Sequence, residues 1–160
     1  MLDEIKKKGL VLNEKNEREI RERFRKDHGM AAFAILNLPK LEKLIKKGNV
    51  IADGLYSFEE FKVLKENFNN RIILIAVFAP PHLRYKRLTS RIISKEDKEL
   101  RDRPFTKAES KTRDFAELEN LNKGATIAMA DYTILNTKDS TFLIKQIKET
   151  EKEIKKSYAS

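Results

Sequence analysis

Two apolar rhythms alternate along the chain. Residues 1 to 47 read as helices, and over 30–47 the apolar positions recur at three and four, as a helix with one core-facing side requires. Residues 1–9 read as a helix ending at Gly9, since glycine accepts the left-handed backbone that stops a helix. Asn13 is placed to cap the next helix, with Asn16 and Glu17 in its first turn. That helix turns Ile20 and Phe24 to one side, with Leu12 at its entry, and stops near Gly29. Residues 30–47 continue the helical spacing, and Pro39 is expected to kink or divide them.

The rhythm then changes. Val50, Ile51 and Ala52 form a short apolar run closed by Asp53-Gly54. Residues 57–68 return to helical spacing, with Phe58, Phe61, Leu64 and Phe68 along one face. Residues 71–79, RIILIAVFA, are continuously apolar and partly β-branched, which suits a strand covered on both faces in a parallel sheet. Pro80-Pro81 ends it, and a helix follows through Leu83, Arg87 and Arg91. The stretch 94–112 is polar, with little apolar periodicity before Phe105. A helix is expected from about Lys107 to Leu121. DYTILN at 131–136 reads as a strand and 140–156 as an amphipathic helix, with the last four residues fraying.

Strand, helix, strand, helix, strand, helix predicts a three-layer α/β arrangement, a parallel sheet flanked by helices on both faces. No repeat or linker divides it, so residues 1–156 are expected to form a single domain with a flap or lid at about 92–112.

Composition narrows the setting. Hydrophobic residues make up 40% and charged residues 37%, a globular rather than a disordered balance. There is no cysteine, which removes disulfides and thiolate metal sites and suits a cytoplasmic location. The longest apolar run, Ile72 to Pro81, is too short to span a bilayer, so no membrane role is expected. The net charge of +9 points to an anionic partner: nucleic acid, a phosphorylated small molecule or an acidic protein. Mixed runs such as KNEREIRERFRKD and KQIKETEKEIKK pair opposite signs at helical spacing and read mostly as solvated helix faces.

Three groups of residues carry candidate chemistry. Asp53 ends a predicted strand, where ligands of open α/β sheets gather, and a carboxylate there can hold Mg²⁺. The same Asp-Gly step is also a common turn, and the local sequence leaves both readings open. Arg84, Arg87 and Arg91 share one side of a predicted helix, with Arg101, Arg103 and Arg113 following. Guanidinium forks match phosphate oxygens and offset charge during phosphoryl transfer, though a solvated basic helix has the same spacing. Arg25 is a candidate contact for an anionic acceptor. The two histidines, His28 and His82, lie at no metal-ligand spacing, and no nucleophile–histidine motif is present.

Taken in order, VIADGLYSFEEFKVLKENF, IILIAVFAPPHLRYKRLTSR and RDFAELENLNKGATIAMADYTILNT resemble the archaeal adenylate-kinase-like P-loop proteins. The wider relatives of that family are dephospho-coenzyme A kinases and nucleoside monophosphate kinases. KGLVLNEKNEREIRERFRKDHGMAAFA also fits its acceptor-side helices. The resemblance covers about residues 2–150. It implies Mg²⁺- and ATP-linked phosphoryl transfer, with Asp53 at the metal and Arg87, Arg91 and Arg113 at the transferring phosphate. Arg25 would face the acceptor, and Asn136 and Thr137 the adenine base. Asp131 and Tyr132 would position the last strand.

One departure bears on activity. A Walker-type loop reads G-x-x-x-x-G-K-[S/T], and its backbone N–H groups wrap the phosphates. The glycines here stand at 9, 29, 48, 54 and 124, and no pair has that spacing followed by Lys-Ser or Lys-Thr. In the family, the strand before that loop lies between the strands resembled by 50–53 and 72–79 and would precede Met1. The chain alone is therefore expected to bind ATP weakly and turn over little. The rival expectations are a non-catalytic nucleotide- or RNA-binding module, or an interaction subunit whose sheet is completed by a second copy or a partner chain.

Overall fold

The computed structural model describes residues 2–95, 97 and 103–158. Of the expected lid, positions 96 and 98–102, Arg101 among them, lie outside the described residues. The fold is α/β and mostly helical, with one two-stranded parallel sheet.

Three helices open the chain: α1 (Leu2–Lys7), α2 (Glu14–His28) and α3 (Ala32–Ile45). Their boundaries follow local chemistry. Gly9 and Gly29 both take positive φ after α1 and α2. Asn13 Oδ1 accepts the Asn16 N–H at 2.8 Å, capping α2. The expected break at Pro39 does not occur, because α3 runs through it as one helix. Pro39 lies on the exposed side of the helix, where it gives up one backbone N–H donor and its ring faces the carbonyl four residues back.

Next comes α4 (Phe58–Phe68), started by a capping box in which Ser57 and Glu60 satisfy each other's backbone N–H. Its buried Phe61, Leu64 and Phe68 are three of the four residues that the spacing placed on one face. Leu64 and Phe68 pack with Ala34, and Leu38, Leu41, Ile45, Leu55, Val63 and Ile72 extend that core between α3 and α4. Phe24 and Phe33 meet edge to face at 5.7 Å and join α2 to α3.

After a 3₁₀ turn at Asn69–Arg71, β1 covers Ile75–Phe78, shorter than the expected 71–79. Helix α5 (Pro81–Thr89) begins on the second proline of the pair, a favourable first-turn position, and ends before Arg91. Arg91 therefore does not share the helix of Arg84 and Arg87. Helix α6 (Lys107–Leu121) has the expected limits and a second capping box, Thr106 with Glu109. Asn122, at φ +50, ends it in the left-handed conformation, and the unexpected short helix α7 (Lys123–Ala128) follows. Strand β2 (Tyr132–Leu135) and helix α8 (Ser140–Tyr158) close the chain, α8 extending past the point where fraying was expected.

The strands pair in parallel register, Ile75 with Tyr132 through Phe78 with Leu135. Asp131 Oδ2 accepts the Leu74 N–H at 2.7 Å, so this acid positions the strand start as expected. The expected strand at 50–53 is not formed. Those residues run irregularly, and Ile51 is 98% exposed. A strand needs a neighbour for its backbone groups, and among the described residues β1 pairs only with β2.

Candidate functional site

Helix α2 presents a line of charge to the interior. Glu14, Glu17, Arg21 and Arg25 follow one another at three- and four-residue steps, so they share one face. Glu17 is buried and the other three are half-buried. The expectation that this run is a solvated face is thus wrong for this side of α2. The run KQIKETEKEIKK in α8 does fit that description, with Lys155 and Glu151 pairing in the open.

Charges from α6 and the segment before it meet that line. Arg103 pairs with Glu17, and its Nη2 lies 3.9 Å from Glu14 Oε2. Arg113 Nη1 lies 3.9 Å from the same oxygen, while Arg113 Nε donates to Glu117 Oε1 at 3.0 Å. Arg21 donates to Glu14 Oε1 at 2.6 Å, and Lys123 pairs with Glu117. Aromatic rings fill the gaps. Arg103 and Arg113 lie 4.9 Å and 5.7 Å from the Phe105 ring, and Lys123 lies 5.2 Å from Tyr56. Burial works against the Arg113 charge, but the Glu117 hydrogen bond and nearby negative groups outweigh it and hold its pKa above the usual value.

Farther along α2 the pairing stops. Arg25 lies over the Phe33 ring at 5.3 Å, and its Nε and Nη2 are sealed from solvent with no acceptor among the described residues. Burial pulls its pKa down, with Glu60 the leading opposing influence. Glu60 itself is 1% exposed. Its Oε2 accepts from the Tyr56 and Ser57 N–H groups at 3.1 Å and 3.3 Å, while Oε1 is buried without a partner. Burial raises the Glu60 pKa above the ordinary glutamate value, against those backbone bonds and the Arg25 charge.

Two further candidates, Arg87 and Asn136, meet past the ends of the strands. Arg87 Nη1 donates to the Asn136 carbonyl at 2.7 Å and to Asn136 Oδ1 at 3.0 Å, and Nη2 to the Lys138 carbonyl at 2.9 Å. Helix α5 and the loop after β2 are thereby joined beyond the carboxyl ends of both strands, with half-buried Thr137 inside that loop. Arg84 Nη1 donates to the Ala79 carbonyl at 2.6 Å and its Nη2 pairs with Asp114, which also accepts from the Tyr85 hydroxyl, so α5 is bound to α6.

Asp53 lies exposed in the irregular 50–54 segment. One ring lies between its neighbourhood and the buried charges: Tyr56 stands where a β-carbon on Gly54 would meet it, and its ring centroid is 6.0 Å from the Arg113 guanidinium. No cluster of three metal-ligating side chains occurs among the described residues. A lone exposed carboxylate still suits Mg²⁺, which keeps several waters and takes substrate phosphate oxygens as ligands. Arg91 is exposed beyond α5, and His28 and His82 are exposed. Two shallow surface depressions, of about 430 Å³ and 440 Å³, lie elsewhere, against Phe115 of α6 and Ile144 of α8.

Sequence reasoning singled out Arg25 and Arg113 for phosphate roles and missed the carboxylates that organise this interior. Signals for them existed. Ser57-x-x-Glu60 before an apolar run is a capping-box pattern, and Glu17 stands three residues before buried Ile20 on the same helical face. No helix among the described residues is long and apolar enough to cross a membrane.

No family model matches the sequence. Individual relatives do. A UPF0200 protein of Thermococcus onnurineus is 35% identical over 136 residues, which cover 84% of this chain and 69% of that protein. A UPF0200 protein of Thermococcus sibiricus is 31% identical over 160 residues, 98% of this chain and 80% of the relative. A UPF0200/UPF0201 protein of Archaeoglobus fulgidus is 28% identical over 148 residues but is matched over only 43% of its length. Identity at this level, over more than two thirds of the Thermococcus proteins, shows that the chain belongs to the UPF0200 family.

Proposed function

We propose that these residues are the greater part of a nucleotide-kinase-like phosphotransferase, moving phosphate from ATP to an acceptor of the nucleoside monophosphate or dephospho-coenzyme A type. One observation carries this reading. The parallel pairing of β1 and β2 brings Arg87 of α5 and the Asn136–Lys138 loop together beyond the strands' carboxyl ends, where α/β sheets bind nucleotides. In this reading Asn136 and Thr137 line the base side. Arg87 holds that loop in place, and Arg91 and Arg113 approach the transferring phosphate. Arg25 orients the acceptor. Mg²⁺ held at Asp53 would neutralise phosphate charge during transfer.

Residues 1–160 hold no glycine-rich phosphate loop, so the chain by itself should turn over little or not at all. The test is ATP affinity by equilibrium dialysis, run beside coupled ADP release with nucleoside monophosphates and dephospho-coenzyme A. Weak ATP binding that Arg87→Ala removes is expected. Fast Asp53-dependent turnover would overturn the claim of incompleteness, and ATP affinity indifferent to both Arg87 and Asp53 would overturn the kinase reading.

A second observation favours a companion reading, in which another strand completes the sheet. The two sheet edges are treated differently. Gln146 of α8 occupies the outer edge of β2, accepting from the Leu135 N–H at 3.0 Å and donating to its carbonyl at 2.6 Å. The other edge of β1 is unpaired among the described residues, and Ile75, Val77 and Phe78 are 40–63% exposed. An apolar edge left open invites a further strand. Solution mass at rising concentration tests whether a second copy supplies it. A monomer throughout, with no loss of solubility, would count against that source.

A further inference from the structure

We propose that the outward face of α6 is a self-association surface, on which a second copy of this chain docks its own α6 antiparallel about a two-fold axis at Phe115. The inference goes beyond the phosphotransferase reading and does not depend on it.

The first ground is the difference between the two sides of α6. One side is matched within the chain: Asp114 pairs with Arg84, and Glu117 with Arg113 and Lys123. The other side carries Lys111, Thr112, Phe115, Leu118 and Glu119, which recur at three and four and so form one seam along the helix. All five are exposed, Phe115 by 51% and Leu118 by 55%. Single apolar residues on a surface are ordinary, but here an aromatic ring and a leucine lie side by side one turn apart.

The second ground is the order of the seam. Phe115 is its centre, with Lys111 four residues before it and Glu119 four after, Thr112 three before and Leu118 three after. Antiparallel helices that cross at Phe115 meet in reverse order. Lys111 then faces Glu119 of the second copy, Thr112 faces Leu118, and Phe115 faces its own counterpart. A two-fold interface needs a patch that is complementary to itself in this way. Had positions 111 and 119 carried one sign, the same docking would set like charges together.

The third ground is that both charges are open. Among the described residues neither Lys111 nor Glu119 forms an ion pair, and Lys111 Nζ lies over the Phe115 ring at 5.7 Å. Docking gives each an opposite charge beside an apolar centre, the arrangement of a polar rim around an interface core. The shallow depression of about 430 Å³ beside Phe115, lined also by Arg18 of α2, leaves room for an approaching ring.

The test is sedimentation equilibrium of residues 1–160 at up to about 500 µM, because one helix face buries less than a standard interface and binds weakly. Wild type should dimerise. Phe115→Ala, Lys111→Glu and Glu119→Lys should each weaken the dimer by about tenfold or more, the two reversals by setting like charges together. Both reversals in one chain restore the opposition and should return the affinity to within about threefold of wild type. A mixture of the two single variants should form a heterodimer where neither associates alone. Neither reversal opposes the α6 dipole, so the thermal midpoints should stay near that of wild type. A monomer at every concentration overturns the proposal and leaves this face to a different protein. A dimer indifferent to both single reversals also overturns it, and its loss in Val77→Lys would place that dimer at the open edge of β1. Single variants that stay apart when mixed overturn the antiparallel pairing.

Discussion

The helical half of the molecule, α2 to α4 with α6, and the sheet half, β1 and β2 with α8, solve the same problem unequally. In the helical half, Leu64 and Phe68 pack with Ala34 of α3, Phe61 is buried on α4, and cations from α6 and the segment before it cross to the carboxylates of α2. In the sheet half, only Ile134 of the two strands is buried, and β1 shows apolar side chains on both faces. A helix satisfies its backbone internally and needs only one covered side, whereas a strand needs neighbours on both edges and cover on both faces. A short sheet therefore exposes what a helical layer of similar size can hide.

This contrast can be broken most forcefully at its packed end. Phe61→Ala should cost about 3–5 kcal/mol of stability, read by denaturant melting, because it removes a buried ring and leaves a cavity. A loss below about 1 kcal/mol would mean that the helical half is no better packed than the sheet. Glu17→Ala comes next, at about 3 kcal/mol, since it leaves Arg103 and Arg21 beside an empty buried position. The exposed control, Glu151→Ala in α8, should leave the midpoint unchanged. Ser57→Ala should cost about 1–2 kcal/mol, removing the α4 cap and the 2.8 Å bond to the Met30 carbonyl.

A pH series sharpens the same contrast through Glu60. Its folded-state pKa is raised by burial, so the folded chain binds the proton more tightly than the unfolded chain. The resulting stability is fully present below the ordinary glutamate value and is lost as pH rises through the raised one. Glu60→Gln should flatten the stability curve within that window, measured by thermal melts at closely spaced pH. The smallest effect belongs to the sheet. Val77→Lys should change stability by less than about 0.5 kcal/mol, because Val77 is 63% exposed, while light scattering at high concentration shows less self-association. A large destabilisation there would show that β1 is covered in solution.

Sequence reading succeeded where one residue decides a local geometry. Gly9, Gly29 and Asn13 marked helix ends, Pro80-Pro81 separated β1 from α5, and the spacing of Phe61, Leu64 and Phe68 named the buried face of α4. It failed at residues 50–53, whose apolar run has the composition of a strand but no neighbour to pair with among the described residues. At Pro39 the expected division did not occur, and one helix continues through a local breaker.

The candidate site divides along the same line. Arg84 and Arg87 were visible as cations at helical spacing, a property of the chain alone, whereas Arg25 and Arg113 were singled out through the family resemblance. Their partners were not visible, because Glu14 meets Arg113 and Arg87 meets Asn136 only after α6 and the β2 loop fold back across the molecule. Short-range sterics and periodicity fix helix ends and faces from neighbouring residues. Which charges are matched, and which strand edge stays open, depends on segments distant along the chain, and only tertiary packing brings those together.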